Sequence, residues 1–309
     1  MTTLMDGIDS FILDQRLKGN TDKTIKGYHR FLSLFATWLF SQKINNISDI
    51  TLQHVREYHL YLINKPAERR GGIRLKKRSI QTYIRHIKVF LSFCHAEELL
   101  SEPLHLKVKT PKAERPTIEI ITDEEYSRIM DTFSDNEIGR RNRAITSLLL
   151  DCGLRLSEVI KLETDNINFT KQYIKVMGKG QKERIIPFGS NVRRLLLYYV
   201  HERRAAKTPN DDKYFFLSIR RKAITSSCIG TLMRRLKKRT GITRLHAHLF
   251  RHTFATNFLV HGLGDIYQLS LILGHCEVKV TELYLQLASY YTLLEKRKHV
   301  TYLDILEQQ

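Results

Sequence analysis

A Gly-His pair, Gly274-His275, stands nine residues ahead of Tyr284 in LGHCEVKVTELY. Four other polar side chains lie where a plain helix or turn would not need them. Arg155 follows a glycine-ended segment in CGLRLSEV, and Lys179 sits between two glycines in GKGQKER. His248 and Arg251 are spaced i, i+3 in HLFRHTFAT, which places them on one helical face. Each alone has a plainer role: Arg155 pairing with Glu158, Lys179 as a turn residue, His248 as a helix-terminal cation, Tyr284 as a core ring. Together they offer guanidiniums, an ammonium, imidazoles and a phenol without a carboxylate cluster. That inventory suits phosphoryl transfer without a metal.

The chemistry follows from charge and proton affinity. A phosphodiester attacked in line develops charge on its non-bridging oxygens, and arginine forks match that geometry. Arg155 and Arg251 would supply the forks. A phenol, with a pKa of about 10, is a poor nucleophile until its proton is taken or its anion is stabilised. His248 would be the base, and Lys179 on a hairpin would protonate the departing 5′-oxygen. His275 would hydrogen-bond the phosphate or support Tyr284. The product, a phosphotyrosine, would keep the energy of the broken ester.

These residues need elements to position them. Residues 4 to about 100 read as helices. Thr21 or Asp22 is the expected N-cap of a helix with Ile25, Tyr28, Phe31, Phe35, Trp38 and Leu39 on one face. A second such face runs through Ile80, Ile84, Ile87, Leu91 and Cys94. The aromatic residues here read as core. Between the helices, KPAERRGGIRLKKRS carries Arg69, Arg70, Arg74, Lys76, Lys77 and Arg78 around a Gly-Gly hinge, a candidate phosphate contact. HLKVKTPKAERPT, with two prolines and few apolar residues, reads as a linker. The expected division is therefore 1–106, a linker at 107–116, and 117–309. In the second part, Thr122 with Glu125 forms a capping-box start, one helix ends at Gly153, and the runs flanking Gly-Lys-Gly form a hairpin.

The totals narrow the class. A chain of 309 residues is comfortable for two domains. With 51 Lys and Arg against 32 Asp and Glu, the net charge of +19 favours a polyanionic partner, because neutralised phosphates release condensed counterions. No apolar run approaches the ~20 residues that cross a bilayer, and the N-terminus lacks a secretion pattern. Cys94, Cys152, Cys228 and Cys276 are far apart and form no C-x-x-C pair, which suits reduced thiols in a cytoplasm.

GLRLSEV, GKGQKERIIPFG, HLFRHTFATNFLVHG and LGHCEVKVTELY resemble, in order and spacing, the motifs of the tyrosine recombinases, the family of phage integrases and of the Xer and Cre enzymes. TIKGYHRFLSLFATWL is similar, more weakly, to the family's DNA-binding helices. The resemblance implies a mainly α protein with a small β-hairpin or sheet. Its two domains would be an N-terminal helical, SAM-like core-DNA-binding domain and a C-terminal catalytic domain. It implies that Arg155 and Arg251 are the catalytic arginines, Lys179 the hairpin lysine, His248 and His275 the histidines, Tyr284 the nucleophile and Glu158 a supporting acid. No cofactor and no metal is implied. The partner would be double-stranded DNA with a specific site, bound by a homotetramer in the cytoplasm, on the bacterial nucleoid, with no membrane. By the resemblance the helix from about 289 would dock on a neighbouring protomer; its apolar spacing suits equally a helix packed on its own domain. Some positions depart from the family pattern: Phe250 where leucine is commoner, and Cys276 after the histidine. His246 and His252 read as structural, with His246 also a possible phosphate neighbour, and Tyr290 and Tyr291 lack the offset from Gly-His. With room for one DNA-binding domain before the linker, a simple recombinase is expected. The rivals are a regulator that lost catalysis, which predicts a missing catalytic residue, a type IB topoisomerase, and a metal-dependent transposase or nuclease.

Overall fold

The computed structural model describes residues 2–65, 74–112, 119–178, 183–205, 213–275 and 277–297, with 202–205 and 294–297 described by their backbone alone. The chain divides into two compact units, Met1–Pro116 and Thr117–Gln309.

The first unit holds α1 (Leu4–Leu17), α2 (Asp22–Ser41), α3 (Leu52–Asn64), α4 (Lys77–Ala96) and the short α5 (Leu104–Lys107). Thr21 caps α2 by accepting from the Thr24 amide, which satisfies one of the orphan donors of the first turn. Leu32 and Ala36 complete the α2 face begun by Ile25, Phe35 and Leu39. On α4 the buried residues are Ile80, Ile84, Ile87, Phe90, Leu91 and Cys94. Phe11, Phe35, Tyr58 and Phe90 are fully buried. Each such side chain contributes on the order of 1.5–3 kcal/mol of burial. Trp38 is half-buried, its ring 5.3 Å from that of Tyr58. Val108 belongs to this core, and Gln81 donates to the Pro111 carbonyl. The chain is thus held to the first unit through the early part of the expected linker.

The second unit holds α6 (Asp123–Asp131), α7 (Glu137–Asp151), α8 (Leu156–Ile160), α9 (Ser190–Ala205), α10 (Ser226–Thr240), α11 (Ala247–Val260), α12 (Ile266–Leu273) and α13 (Glu282–Arg297). Between α8 and α9 lies an antiparallel sheet of β1 (Ile167–Asn168), β2 (Tyr173–Met177) and β3 (Glu183–Pro187), in that order. The hairpin partners are β2 and β3, with Ile174 opposite Ile186 and Val176 opposite Arg184. The two-residue β1 carries no sequence pattern of its own. Thr122 and Glu125 form the reciprocal capping box of α6. The amide of Ile121 donates to Thr253 Oγ1 at 2.9 Å, fastening the entry of α6 to α11.

A large core formed by α6 to α11 and the sheet is accompanied by a smaller one. The small core comprises Phe254, Ala255, Phe258, Leu269, Leu273 and Tyr284, contributed by α11, α12 and α13. No described helix is long and apolar enough to cross a membrane.

Candidate active site

Arg155 reaches the site because α7 stops. Gly153 adopts φ +58°, a conformation without steric penalty only for glycine. A Cβ there would also strike the Phe254 ring, so the turn is fixed from both sides. Arg155 is then the N-cap of α8, and Glu158 accepts from its amide at 2.7 Å and from its Nη1 at 2.9 Å.

Glu158 also receives a second arginine. Arg184 of β3 donates through Nη1 and Nη2 at 2.9 and 2.8 Å to the two oxygens of that carboxylate. The side chains of Glu158 and Arg184 are 7% and 10% exposed, so this is a buried fork. Burial raises the Glu158 pKa, but the Arg184 guanidinium and the Arg155 amide outweigh it and hold the carboxyl below its ordinary value.

The C-terminal end of α12 organises the cations. Its last carbonyls are each taken by a different arginine: Arg184 Nε donates to Ile272 at 2.8 Å, Arg251 Nη2 to Leu273 at 2.6 Å, and Arg155 Nη2 to Gly274 at 2.8 Å. A helix end leaves these acceptors unsatisfied and carries the negative end of the macrodipole, so guanidiniums are favoured there. Arg251 Nη1 also donates to the Gly153 carbonyl at 2.6 Å, which ties the α7 exit to the α12 exit. Arg251 is 4% exposed. Burial, then repulsion from Arg155, lowers its pKa to about 10, so it stays charged at neutral pH.

The histidines differ in their partners. Arg251 Nη2 lies 3.3 Å from His275 Nε2, and His275 Nδ1 lies 2.8 Å from Thr281 Oγ1. A guanidinium only donates, so Nε2 is the accepting nitrogen and Nδ1–H donates to the threonine. His275 is therefore neutral, consistent with a pKa lowered to about 4 by burial and then by Arg251. Its two ring nitrogens thus face Arg251 and Thr281. Its ring lies nearly parallel to that of Tyr284, with centroids 6.4 Å apart.

Tyr284 is 5% exposed and packs in the small core, yet its hydroxyl is engaged. The partner is His252, whose Nδ1 lies 2.8 Å from Tyr284 Oη. Among the described residues no hydrogen bond joins His248 to this hydroxyl. His248 is near enough to Arg251 and Arg155 for them to lower its pKa, after burial. Burial raises the pKa of Tyr284 while Arg251 and Arg155 act the other way, with a net rise. The phenol is therefore neutral at pH 7. Tyr290 of α13 is 57% exposed.

Five of the residues singled out in the sequence, Arg155, His248, Arg251, His275 and Tyr284, thus share one locus with Glu158. Lys179 lies outside the described residues, as do Cys276, Arg69 and Arg70. Arg74, Lys76, Lys77 and Arg78 are in the first unit, exposed at the start of α4. Arg184, His252 and Thr281 join the site without having been chosen from sequence. Arg184 had a signal: it shares the inward strand parity of Ile186, where a charge requires a partner. His252 stands i+4 from His248, on the same helical face.

Residues 119–290 match the phage integrase family. Tyrosine recombinase XerD of Staphylococcus haemolyticus is 31% identical over 290 residues, covering 92% of this chain and 94% of that protein. Among solved structures, the Tn1549 transposon integrase in complex with circular intermediate DNA aligns with a TM-score of 0.70 at 19% identity, covering 92% of this chain and 95% of that one. XerH site-specific recombinase bound to palindromic difH substrate, a post-cleavage complex, gives 0.70 at 20% identity, covering 90% and 79%. At these identities the likeness to the two solved structures is one of fold. The chain belongs to the phage integrase family, the tyrosine recombinases. It is a site-specific recombinase of DNA.

Proposed function

We propose that Tyr284 attacks a DNA phosphodiester to give a 3′-phosphotyrosine and a free 5′-hydroxyl, and that the reverse reaction rejoins exchanged strands. The observation that carries this reading is the convergence of Arg155, from the start of α8, with Arg251, His275 and the Tyr284 hydroxyl, from α11 to α13, around one helix end. Arg155 and Arg251 hold the phosphate and offset the charge developing on it. Glu158 orients Arg155, His248 lies beside the same arginines, and Lys179 protonates the leaving oxygen. Transesterification conserves the ester, so the reaction calls for neither ATP nor a metal ion.

The first unit acts as the core-DNA-binding domain. Lys76, Lys77 and Arg78 crowd the N-terminal end of α4, where the macrodipole disfavours cations, and a DNA phosphate relieves that cost. Lys76 borders a groove of about 860 Å³ lined also by Arg30, Trp38, Lys65 and Arg74. Double-stranded DNA carrying a specific site is the substrate, and a homotetramer on two sites exchanges strands through a Holliday junction. The outcome is integration, excision or resolution of a mobile element or replicon.

The test uses nicked duplexes tiled across the DNA that flanks the coding sequence, in EDTA, with the covalent adduct resolved on a denaturing gel. The wild-type chain is expected to form an adduct on one of them and Tyr284→Phe to form none. An adduct with Tyr284→Phe would refute the assignment of the nucleophile.

A further inference from the structure

The phenol that must lose its proton is bonded to a residue to which the family resemblance assigned no catalytic role. His252 lies on α11 between Arg251 and Thr253, and its Nδ1 meets Tyr284 Oη at 2.8 Å with ring centroids 5.7 Å apart. One residue along a helix is a rotation of about 100°. Arg251 therefore faces the carbonyls of Gly153 and Leu273 while His252 turns toward α13. The neighbouring imidazole, His275, has both nitrogens committed, to Arg251 and Thr281. That leaves His252 in contact with the reacting oxygen.

We propose that His252 is the hydrogen-bond acceptor that holds Tyr284 Oη and takes its proton in the cleavage step. This rests on the recombinase reading of the site and adds to it the destination of the phenol's proton. The Oη–P bond forms as the P–O5′ bond breaks, and the Oη proton passes to His252 Nδ1. The 5′-oxygen leaves as a hydroxyl, with a proton from the donor that the family resemblance assigns to Lys179. Religation runs the transfer backward and returns the proton to tyrosine.

The free protein favours the neutral ring that this role requires. Burial, then the charges of His248, His246 and Arg251, lowers the His252 pKa to about 4. Transfer from a phenol to so weak a base is uphill until the Oη–P bond has begun to form, so the two events are concerted. A bound phosphodiester also brings negative charge that offsets the cations depressing His252. The contact fixes the phenol as well. Tyr284 is clamped between a hydrogen bond at its hydroxyl and the Phe254, Leu269 and Leu273 side chains of its core, which restricts it to few orientations before attack.

The experiment compares the full-length wild type with His252→Phe, which keeps a ring, with His252→Asn, whose amide falls near the Nδ1 position, and with His252→Gln, whose amide falls near Nε2. The probe is the flanking-DNA nicked duplex on which wild type forms its adduct, together with the same duplex carrying a bridging 5′-sulfur. Loss of a positioned base costs about 10²–10⁴-fold in rate. We expect His252→Phe to bind the duplex like wild type and to form adduct at least about 100-fold more slowly, with His252→Asn recovering part of the rate and His252→Gln none. A thiolate leaves without a proton, since a thiol ionises near pH 8.5. The sulfur substrate therefore leaves the His252→Phe defect in place. A His252→Phe rate within about threefold of wild type, small beside the loss of a base, would overturn the proposal. So would full recovery on the sulfur substrate, which would place His252 at the leaving group. Failure of wild type to react on any duplex would overturn the recombinase reading itself and this inference with it.

Discussion

Glu158 and Arg184 form the least exposed ion pair of the site, and their removal gives a quantitative test of how it is held together. Glu158→Ala deletes the acceptor of both Arg184 Nη donors, leaving a guanidinium that is 10% exposed with the Ile272 carbonyl as its remaining tie. Removing one partner of a buried pair costs about 3–5 kcal/mol. The Arg155 contact, with Arg155 31% exposed, adds no more than about 1 kcal/mol. For a unit of this size each kcal/mol shifts the midpoint by about 2–4 °C, so the expected fall in Tm is about 6–24 °C. Arg184→Met costs less, about 2–3 kcal/mol, because Glu158 keeps the Arg155 amide and Nη1 after the buried partner is gone. The double variant is then less destabilised than the sum of the two by about 1–3 kcal/mol. The assay is thermal and urea unfolding followed by far-UV circular dichroism. The single tryptophan, Trp38, lies in the first unit, so its fluorescence is a control that these substitutions leave unchanged. Losses below about 1 kcal/mol for both single variants, or strict additivity, would refute the account of Glu158 as a buried clamp.

Two further substitutions or conditions probe the same locus. Gly274 has φ +62° and its Cβ position lies 3.0 Å from three atoms of the Arg184 side chain. Gly274→Ala is therefore expected to cost about 1–2 kcal/mol in backbone strain and to slow adduct formation by displacing Arg184, with Gly274→Asn milder in stability. Wild-type unfolding and cleavage in Gly274→Ala would contradict this. His252 and His275 titrate near 4 in the folded chain, against 6.5 for an unconstrained imidazole. Between those values the unfolded chain binds more protons, so the stabilising contribution of the neutral rings is complete above pH 6.5 and is lost as pH falls toward 4. Urea midpoints should drop from pH 7 to pH 5, less steeply in His252→Phe. A flat or opposite trend would show that the rings are not held neutral.

Much of this was readable from residue order. The α4 face from Ile80 to Cys94, the Thr122 capping box and the hairpin around Gly-Lys-Gly depend on local periodicity and turn chemistry, and all are present. Leu32 and Ala36 fill out the α2 face, where helical spacing left room for them. The motif set led to the locus, because Arg155, Arg251, His275 and Tyr284 stand beside structural glycines or at fixed helical offsets. Pairings between segments were less legible. Nothing local distinguishes His252 from His248 as the neighbour of Tyr284, since the two occupy one face of α11 a turn apart. The choice depends on where α13 crosses, which Leu269, Leu273 and Phe258 decide by packing. Thr281 likewise acquires its role from the orientation of the His275 ring.

The three arginines explain why a helix end lies at the centre of the site. Bringing Arg155, Arg184 and Arg251 together with one carboxylate leaves two positive charges in a largely dry setting, and repulsion from Arg155 is part of what depresses Arg251. The carbonyls of Ile272, Leu273 and Gly274 offset some of this by accepting from all three cations along one backbone stretch. They also set the guanidinium positions, because these acceptors belong to backbone held by the helix and each accepts near its own plane. Gly274 allows the chain to leave the helix in the left-handed conformation and deliver His275 and, one short turn later, Tyr284 on the same side. A free guanidinium pair would fluctuate apart; one fixed by backbone acceptors is preorganised for a phosphodiester before DNA arrives. The same fixation has a cost, since the uncompensated charge is highest when no anion is bound. The site therefore favours an anionic ligand over water by construction.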